Sequence, residues 1–585
     1  MDKEQVAAIL DEIGTLLEIQ GENPFRCNAY HNAARTIAQL GENLEDIVRE
    51  KRLGELPGIG ETLREKITTL VTTGRLPYYE DLRQQIPSGL LEMLRIPGLG
   101  PKKVKALYDE LGIDTLDKLK AACEAGRVAG LRGFGAKTQQ KILEGIAFLS
   151  QMGDRVRIDQ AMAVAEVILD GLKGCPGIIR MEICGSLRRR KETVKDIDVL
   201  VSSDKPEPIM ERFVKLPGVR QVIVQGDTKS SVVLAGRSFL INADLRVVRD
   251  QQFPFALHYF TGSKEHNIRM RERAIKYGLK LNEYELAGKG KSIPCKEEAD
   301  IFHALDLDYI PPELREDTGE LEAAEKHTLP KLIEPTDIQG VFHCHTDWSD
   351  GAATLEAMAE AARRLGLKYL GIADHSQSLT VANGMSPDRA RRQQAEIDKL
   401  NDRLKGIRLF KGIECDILPD GRLDYDDQLL ATFDYVVASV HSHFKQSREE
   451  MTRRIIRAIA NPHVTMLGHA TGRLLLRRDA YQVDLEAVLQ VAAKHGTLVE
   501  INAHPERLDI DWIHAKRAKA LGVGLVINPD AHSTDEIALY RFGVDVARRG
   551  WLEKDNVFNT RTAAQVAKAL AARRKHNEAA GRGWG

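Results

Sequence analysis

The chain has 585 residues, which is too long for one hydrophobic core, so we expect several domains. Its 84 lysines and arginines nearly balance its 85 aspartates and glutamates, which excludes net charge as an argument for a nucleic-acid partner. Any basic binding surface must therefore be local. The seven cysteines are scattered without a Cys-x-x-Cys pair, which argues against a disulfide framework or a thiolate zinc site.

The amino terminus leads directly into an amphipathic helical pattern, and no apolar run approaches the roughly 20 residues that span a bilayer. We therefore expect a cytoplasmic protein without membrane insertion. Histidine is distributed unevenly along the chain, because eleven of the 17 histidines lie from His343 to His532. Because histidine is a common metal ligand, this asymmetry separates a carboxyl-terminal region from the rest.

The first 150 residues repeat a pattern of apolar–x–Gly–apolar–Gly before a helical stretch, at 56–60, 96–100 and 131–135. The glycines permit a tight turn and leave the first N–H groups of the next helix free to hold a phosphate oxygen. A single copy is equally well explained as an ordinary helix corner, but three copies indicate helix-hairpin-helix elements that bind the DNA backbone. The predicted DNA contacts are Gly58, Gly60, Gly98, Gly100, Lys102, Lys103, Gly133, Gly135 and Lys137.

From residue 181 the apolar pattern becomes strand-like and predicts a mixed α+β sheet. The expected strands cover 181–184, 197–201, 219–224, 231–234 and 239–248, and a helix is expected over 159–172. Asp196 and Asp198 are two residues apart on one expected strand, so their side chains share a face. Asp244 lies on the last expected strand. Three such carboxylates suit two divalent cations that hold a triphosphate, and Gly185 with Ser186 permits close approach to phosphate. A bare Asp-x-Asp is common on solvated strands, but this combination predicts a nucleotidyltransferase.

Residues 313–331 are charged and bounded by prolines, as in a linker. After them, short apolar runs each end in a polar residue and are mostly separated by helical patterns. The runs cover 341–345, 369–375, 408–414, 435–441, 465–469, 497–504 and 524–532. Repeated strand–helix units predict parallel strands whose active residues gather at the strand carboxyl ends, here in a distorted (β/α)7 barrel.

Histidines and carboxylates recur at the ends of these runs. A lone pair such as His343 and His345 is weak evidence, because isolated histidines are commonly surface or satisfied core residues. Ligand types at six strand ends in register are hard to explain by coincidence. Imidazole with carboxylate suits Zn²⁺, Mn²⁺ or Fe²⁺, and the set can bind two or three ions, with Glu414 or Asp530 bridging. The candidates are His343, His345, Asp350, Asp374, His375, Glu414, His441, His469, Asp530 and His532.

Residues from about 21 to 313 resemble the family X DNA polymerases, the group of DNA polymerase beta. The matching stretches are 28–35 (Asn-Ala-Tyr-His-Asn-Ala-Ala-Arg), the first two hairpins, 185–198, Asp244 and 259–263 (Tyr-Phe-Thr-Gly-Ser). The resemblance implies in-line attack of a primer 3′-hydroxyl on a deoxynucleoside triphosphate, catalysed by positioning and charge neutralisation. It makes Asp196, Asp198 and Asp244 the ligands of Mg²⁺ or Mn²⁺. The implied nucleotide contacts are Gly185, Ser186, Arg189, Tyr259, Phe260, Gly262 and Asn267, with Arg271 on the template side.

Three lysines bear on this resemblance. Lys195 stands where the vertebrate enzyme has a glycine and Lys264 where it has an acid, which puts nucleotide affinity and sugar selectivity in question. Lys66 matches the Schiff-base lysine that removes 5′-deoxyribose phosphate, and the nearby Arg64 is expected to lower the pKa of its amine. The alternative is a solvated helix lysine that touches phosphate.

Residues 338–575 resemble the polymerase-and-histidinol-phosphatase (PHP) superfamily, including the form appended to bacterial family X polymerases. The resemblance makes all the candidates above except Asp374 metal ligands. It also implies 3′–5′ exonuclease, 3′-phosphatase and abasic-site endonuclease activities. His443, His504 and Arg473 lie beside the ligands in sequence and are candidates for outer or substrate contacts.

The whole sequence predicts a monomeric bacterial repair enzyme, associated with the nucleoid, that acts on gapped or nicked DNA. Its carboxyl-terminal domain is expected to clean a 3′ end and its amino-terminal half to fill the gap. Two alternatives remain: a phosphoesterase whose polymerase-like half holds DNA ends, and a non-enzymatic DNA-binding scaffold. The predicted domains are 1–80 (lyase-like, helical), 81–150 (fingers-like), 151–250 (palm), 251–316 (nucleotide-selecting), 317–337 (linker), 338–575 (phosphoesterase) and 576–585 (tail).

Overall fold

The computed structural model describes residues 1–581 except 2, 39, 41–43, 95, 97–98, 153–154, 237–238 and 289–290. The predicted DNA contact Gly98 therefore lies outside the described residues. The chain divides into two compact units, of which the first is Met1–Gly153 with Leu476–Arg478 and the second is Asp154–Leu475 with Asp479–Gly585. Among the described residues, no helix combines the length and the apolar character that crossing a membrane requires.

The described part of the first unit is helical. Its helices are Lys3–Gln20, Pro24–Ala38, Leu44–Arg49, Glu61–Thr73, Pro77–Gln84, Ser88–Met93, Pro101–Leu111, Leu116–Glu124 and Ala136–Met152, with 3₁₀ turns at Arg52–Glu55 and Val128–Gly130. Apolar residues at helical spacing explain the packing, since Leu10, Ile13 and Leu17 of the first helix are all buried. This confirms the predicted helical amino-terminal fold.

The second unit begins with a mixed five-stranded sheet. In spatial order its strands are Arg180–Ile183, Asp196–Ser202, Leu240–Val248, Lys229–Ala235 and Val219–Gln225. The second and third of these strands run parallel, and the other neighbours are antiparallel. Ile197, Val199 and Val201 are buried together with residues of helices Ile158–Leu172 and Pro206–Val214. The alternation predicted for this strand is therefore present, and it turns Asp196 and Asp198 away from the core.

A smaller helical region follows the sheet. Its elements are helices Phe253–Thr261, Lys264–Lys276 and Glu298–His303, 3₁₀ turns Asp250–Gln252 and Pro312–Leu314, and strands Lys280–Leu281, Leu286–Gly288 and Lys291–Ile293. A short helix, Gly185–Arg188, and the strand pair Val156–Arg157 and Thr193–Val194 flank the sheet. Phe255, Met270 and Phe302 are buried in the core of this region.

The charged segment at 313–331, which the sequence indicated to be a linker, is folded in the structure. It contains helix Glu320–Glu325, and Glu320 is fully buried with its Oε1 2.9 Å from His266 Nδ1. Arg548 Nε donates to Glu313 Oε1 at 2.9 Å, and Lys516 Nζ donates to the Thr318 carbonyl at 2.9 Å. Glu313 and Glu320 are thus paired with residues on either side of the segment along the chain, instead of being solvated.

The rest of the second unit is a barrel of seven parallel strands that follow one another in chain order. The strands are Gly340–Cys344, Tyr369–Ile372, Arg408–Asp416, Tyr435–Ser439, Met466–Leu467, Leu498–Asn502 and Leu525–Asn528. The helices are Leu355–Arg364, Pro387–Arg403, Asp427–Leu430, Arg448–Ile459, Leu485–His495, Trp512–Ala520, Tyr540–Arg549 and Ala563–Gly581. A bridge from Cys344 to Ala531 brings the first and last strands together. The structure confirms the predicted (β/α)7 barrel.

Candidate functional site

The three aspartates of the sheet lie on one face. In the parallel register Asp198 stands opposite Asp244, and Asp196 lies two residues before Asp198 on the same strand. Burial, followed by the nearby Asp196 and Asp244 carboxylates, raises the pKa of Asp198 to about 7. Burial and Asp244 also raise the pKa of Asp196. Such mutual repulsion among oxygen donors fits a site for divalent cations, which would return these groups to the ionised form.

Gly185 approaches this cluster more closely than any other residue type can. Its φ is +63°, and a Cβ placed there would lie 2.3 Å from Asp198 Oδ2. The preceding Cys184 donates its N–H to the Asp198 carbonyl at 2.8 Å. The turn that carries Ser186 is therefore held directly beside the carboxylates.

Arg189, one of the predicted nucleotide contacts, is buried beside this turn. Its Nε donates to Glu316 Oε1 at 3.1 Å, and its Nη1 donates to the Thr261 carbonyl. Gly262 follows with φ +71°, and a Cβ there would lie 3.0 Å from Arg189 Nη1. Arg189 thus connects the Gly185–Arg188 turn to the segment that carries the predicted nucleotide contacts Tyr259, Phe260 and Gly262.

The other predicted nucleotide contacts lie on two successive helices. Tyr259 and Phe260 lie in the last turn of helix Phe253–Thr261, and Asn267 Nδ2 donates to the Tyr259 carbonyl at 2.8 Å. The buried Asn267 Oδ1 has no hydrogen-bond partner among the described residues, which leaves an acceptor for a ligand. Arg271, Lys195 and Lys264 are exposed.

Lys229 is a cation that sequence reasoning did not find. Its Nζ lies 2.7 Å from Asp244 Oδ2. It begins the antiparallel strand next to that of Asp244, two residues before the strand that we expected at 231–234. The ion pair offsets part of the carboxylate charge in this structure.

The hairpin glycines of the first unit face open space. Gly58 and Gly133 have φ of +75° and +85°, while Gly60 and Gly100 directly precede helices Glu61–Thr73 and Pro101–Leu111. A Cβ at any of these positions, or at Gly135, would meet no atom within 4 Å. The backbone is therefore accessible to a phosphodiester at each described turn. Lys102 and Lys137 are exposed, and Lys103 is half-buried.

Lys66 lies in a pocket of aromatic side chains. Its Nζ donates to the Tyr30 hydroxyl at 2.6 Å and lies 3.1 Å from the centre of the Tyr78 ring. Burial, with a smaller contribution from Arg26, lowers the pKa of Lys66 to about 8. We expected Arg64 to lower this pKa. The cation that lowers it is instead Arg26, which lies on helix Pro24–Ala38.

Glu414 is the centre of the histidine cluster in the barrel. Its Oε1 lies 3.2 Å from His343 Nε2 and 2.9 Å from His469 Nε2. Its Oε2 lies 2.9 Å from His375 Nδ1 and 3.7 Å from His345 Nε2. One buried carboxylate is thus surrounded by imidazoles from several strand ends.

Two aspartates extend the cluster on either side. Asp530 Oδ1 lies 3.2 Å from His345 Nε2, and Asp350 Oδ2 lies 3.6 Å from His375 Nε2 and 3.5 Å from His532 Nε2. Four overlapping ligand groups result, and each of the nine predicted ligands belongs to at least one of them. The groups are His345/Asp350/His375/His532, His343/His469/Asp530, His343/His345/Glu414 and His375/Glu414/His441. Asp374 is in none of these groups and instead accepts hydrogen bonds from Thr346.

Several buried atoms of the cluster form no hydrogen bond of acceptable geometry with the described residues, although some lie close to Glu414. They are His343 Nε2, His345 Nδ1, His375 Nδ1, His469 Nδ1 and Glu414 Oε2. Buried polar atoms are normally satisfied, so these orphaned donors and acceptors fit metal ions. Although burial opposes it, Glu414 raises the pKa of His375 to about 10, and Asp350 raises that of His532 to about 9. The carboxylates thus favour positive charge at their neighbours, which bound cations would supply.

Backbone conformation helps to converge the ligands. His343 and Asp530 have φ of +56° and +53°, and the register of the first barrel strand shifts between Val341 and Cys344. The strand ends at Cys344, so His343 and His345 do not share one face of a regular strand. A bulge and a left-handed residue bring both side chains to the same cluster instead.

Two carboxylates that the sequence analysis missed support the ligands from behind. Glu500 Oε1 lies 2.6 Å from His343 Nδ1, and Glu500 Oε2 accepts the His469 N–H at 2.8 Å. Asp416 Oδ1 contacts His441 Nδ1. Asp416 is the last residue of its strand, whereas Glu500 lies in the middle of its strand, and neither has a fixed spacing from the histidine that it contacts.

Arg507 is a further missed residue. It lines a cavity of about 280 Å³ over the cluster, and its Nε lies 3.4 Å from Asp530 Oδ2. Arg473 Nε donates to the Arg507 carbonyl at 2.9 Å, so Arg473 holds this loop. His504 Nδ1 accepts from the Glu506 N–H at 3.3 Å, and His443 is exposed.

Comparison with known proteins covers nearly the whole chain. Family models match a helix-hairpin-helix domain at 1–76, a SAM-like helix-hairpin-helix tandem at 90–147, a DNA polymerase beta thumb at 256–316 and a PHP domain at 342–504. Probable phosphatases of Thermoanaerobacter sp. (strain X514) and Caldanaerobacter subterraneus subsp. tengcongensis are each 27% identical, over 37% and 40% of this chain and 89% and 91% of their own lengths.

A relative from Bacillus subtilis (strain 168) aligns with both catalytic halves. It is named DNA polymerase/3′-5′ exonuclease PolX and is 40% identical over 570 residues, which is 97% of this chain and 99% of that protein. This match includes the sheet with its three aspartates as well as the barrel. The chain therefore belongs to the PolX family of bacterial family X DNA polymerases that carry a PHP domain.

Proposed function

We propose that this protein fills short gaps in DNA during repair and trims 3′ ends with its PHP barrel. The observation that carries the polymerase assignment is the parallel register that sets Asp198 opposite Asp244 with Asp196 on the same face. The nine-residue ligand cluster carries the phosphoesterase assignment. Gapped or nicked DNA and deoxynucleoside triphosphates are the proposed substrates, and the proposed active form is a monomer in the bacterial nucleoid.

In the polymerase site, Asp196, Asp198 and Asp244 would hold Mg²⁺ or Mn²⁺. The bound ions would supply charge neutralisation at the triphosphate and favour ionisation of the primer hydroxyl. Gly185 gives phosphate oxygens access to the backbone beside these carboxylates. Arg189 is the proposed cationic contact to the triphosphate, a role that fits the in-line reaction because its transition state spreads negative charge over phosphate oxygens.

Further polymerase residues are assigned by their position. Ser186, Tyr259, Phe260, Gly262 and Asn267 are proposed to contact the nucleotide. Of these, Asn267 has the strongest structural support, because its buried Oδ1 is unsatisfied. Arg271 is the proposed template-side contact, which its exposure permits.

In the barrel, the nine ligands would hold two to three ions of Zn²⁺, Mn²⁺ or Fe²⁺. The bound ions would supply Lewis-acid activation of water and of the phosphodiester. Arg507 is cationic and faces the cavity, so we assign to it the binding of the scissile phosphate. Glu500 and Asp416 hold His343 and His441 in the orientations that ligation needs.

The first unit is proposed to bind the DNA backbone through its hairpins. Lys66 is proposed as the nucleophile that removes a 5′-deoxyribose phosphate. Its amine contacts the Tyr30 hydroxyl and the Tyr78 ring, and the lowered pKa of Lys66 increases the fraction of the amine that is neutral and nucleophilic near neutral pH. The domain boundaries stated from the sequence are kept as part of this proposal.

The test is a pair of single substitutions in the full chain. Asp198→Ala should abolish nucleotide insertion on gapped DNA and keep the 3′–5′ exonuclease, while His343→Ala should do the reverse. Asp170→Ala, which removes an exposed aspartate from helix Ile158–Leu172, is the matched control and should change neither activity. Insertion that survives Asp198→Ala would overturn the polymerase assignment and favour a phosphoesterase whose other half only holds DNA ends.

A further inference from the structure

Arg549 is a buried arginine at the end of a barrel helix. It closes helix Tyr540–Arg549 and is 1% exposed. Its guanidinium carbon lies 5.1 Å from the centre of the Trp512 ring, on the preceding helix of the barrel. Burying an arginine is costly unless its charge is paired, so its partners indicate what it is for.

The partners of Arg549 lie in the polymerase half of the unit. Arg549 Nη1 donates to the Arg189 carbonyl at 2.7 Å and to Glu316 Oε1 at 3.2 Å. The same Glu316 oxygen accepts from Arg189 Nε at 3.1 Å. Arg549 therefore holds the backbone of Arg189 directly and its side chain through the shared carboxylate.

The charges in this trio explain why a second arginine is useful. Glu316 is ionised, because Arg189 and Arg549 together keep its pKa below the usual range even though burial opposes this. Arg189 and Glu316 alone would form a neutral pair, which attracts a triphosphate weakly. With Arg549 the trio carries a net positive charge, and the carboxylate is shared between two cations instead of neutralising one of them.

We propose that Arg549 is a positioning residue for the polymerase reaction: this barrel residue sets the orientation and the effective charge of Arg189 for binding the incoming triphosphate. The inference rests on the proposed role of Arg189 as the triphosphate contact. Residues of both the palm and the PHP barrel would then form the nucleotide-binding site. Among the described residues, Arg549 alone contacts both the Arg189 carbonyl and the Glu316 carboxylate that is paired with Arg189.

Arg548 offers a matched control from the same helix. Its side chain donates to Glu313 Oε1 at 2.9 Å, to Glu334 Oε1 at 2.6 Å and to the Ile333 carbonyl at 2.9 Å. These contacts also join the barrel to the segment before it, but they do not reach Arg189. A variant of Arg548 therefore removes a comparable arginine without touching the trio.

The experiment measures kcat and KM for nucleotide insertion on gapped DNA, together with 3′–5′ exonuclease activity on single-stranded DNA, in full-length variants. We expect Arg549→Ala to raise KM for the nucleotide about tenfold with kcat and exonuclease activity within about twofold of the parent. Arg549→Lys keeps the charge but not the guanidinium that donates to both the Arg189 carbonyl and Glu316. Its KM should lie between that of the parent and that of Arg549→Ala. Arg548→Ala should leave KM unchanged.

Arg189→Ala and the double variant separate this inference from the proposed function. Arg189→Ala should raise KM, and adding Arg549→Ala should raise it little further, because the second arginine acts through the first. If Arg189→Ala raises KM but Arg549→Ala does not, the positioning role is wrong while the proposed function stands. If both activities fall together in Arg549→Ala and Arg549→Lys, the residue is only structural. If Arg189→Ala leaves KM unchanged, the nucleotide contact itself is refuted.

Discussion

Gly185→Ala should remove polymerase activity through a steric effect at one atom. The added Cβ would lie 2.3 Å from Asp198 Oδ2, whereas real Cβ atoms essentially never approach within 3.0 Å, so the carboxylate must move by roughly 0.7 Å. Misplacing a catalytic group by about 1 Å costs about 100-fold in rate. We therefore expect insertion on gapped DNA to fall about 100-fold, with the barrel exonuclease unchanged.

The same substitution also forces alanine into a left-handed conformation at φ +63°, which costs roughly 1–2 kcal/mol. Gly174→Ala isolates that cost, because Gly174 has φ +75° and open space around its missing Cβ. Thermal unfolding should shift about equally in the two variants, while only Gly185→Ala loses insertion. Equal insertion rates for Gly174→Ala and Gly185→Ala would refute the steric argument.

Three further predictions concern the other sites. Borohydride trapping of DNA with a 5′-deoxyribose phosphate should require Lys66. The trapped fraction should rise as pH increases through about 8, because only the deprotonated amine attacks. A flat profile from pH 7 to 9 would contradict this. Glu500→Gln should lower exonuclease activity and bound metal about 10- to 100-fold, measured by elemental analysis, while insertion is kept. Arg507→Ala should reduce the exonuclease about 100-fold with metal content unchanged, and Arg507→Lys should restore part of it.

The barrel ligands could be predicted because their chemistry coincides with a simple rule of topology. Parallel strands place their carboxyl ends at one edge, so residues such as His375, Glu414 and His469 converge whatever the details of packing. Glu500 and Asp416 were missed for the opposite reason. They touch imidazoles from behind, and a carboxylate in that role has no sequence spacing relative to the histidine that it orients.

The charged segment before the barrel shows where composition misleads. Glu313, Glu316 and Glu320 look solvated in the sequence, but each is paired with an arginine or a histidine far away along the chain. Side-chain pairing of this kind is a tertiary property that neither periodicity nor composition encodes. The same limit hid the contact of Arg549 with Arg189, which are 360 residues apart.

The two ligand sets differ in donor chemistry, and this difference bears on how one chain supports two reactions. The sheet offers oxygen donors from Asp196, Asp198 and Asp244, which suit hard cations such as Mg²⁺. The barrel offers six imidazoles with three carboxylates, which favour transition metals over Mg²⁺. In the proposed enzyme the abundant hard cation would therefore compete poorly for the barrel. Synthesis and trimming would then respond to different metal pools.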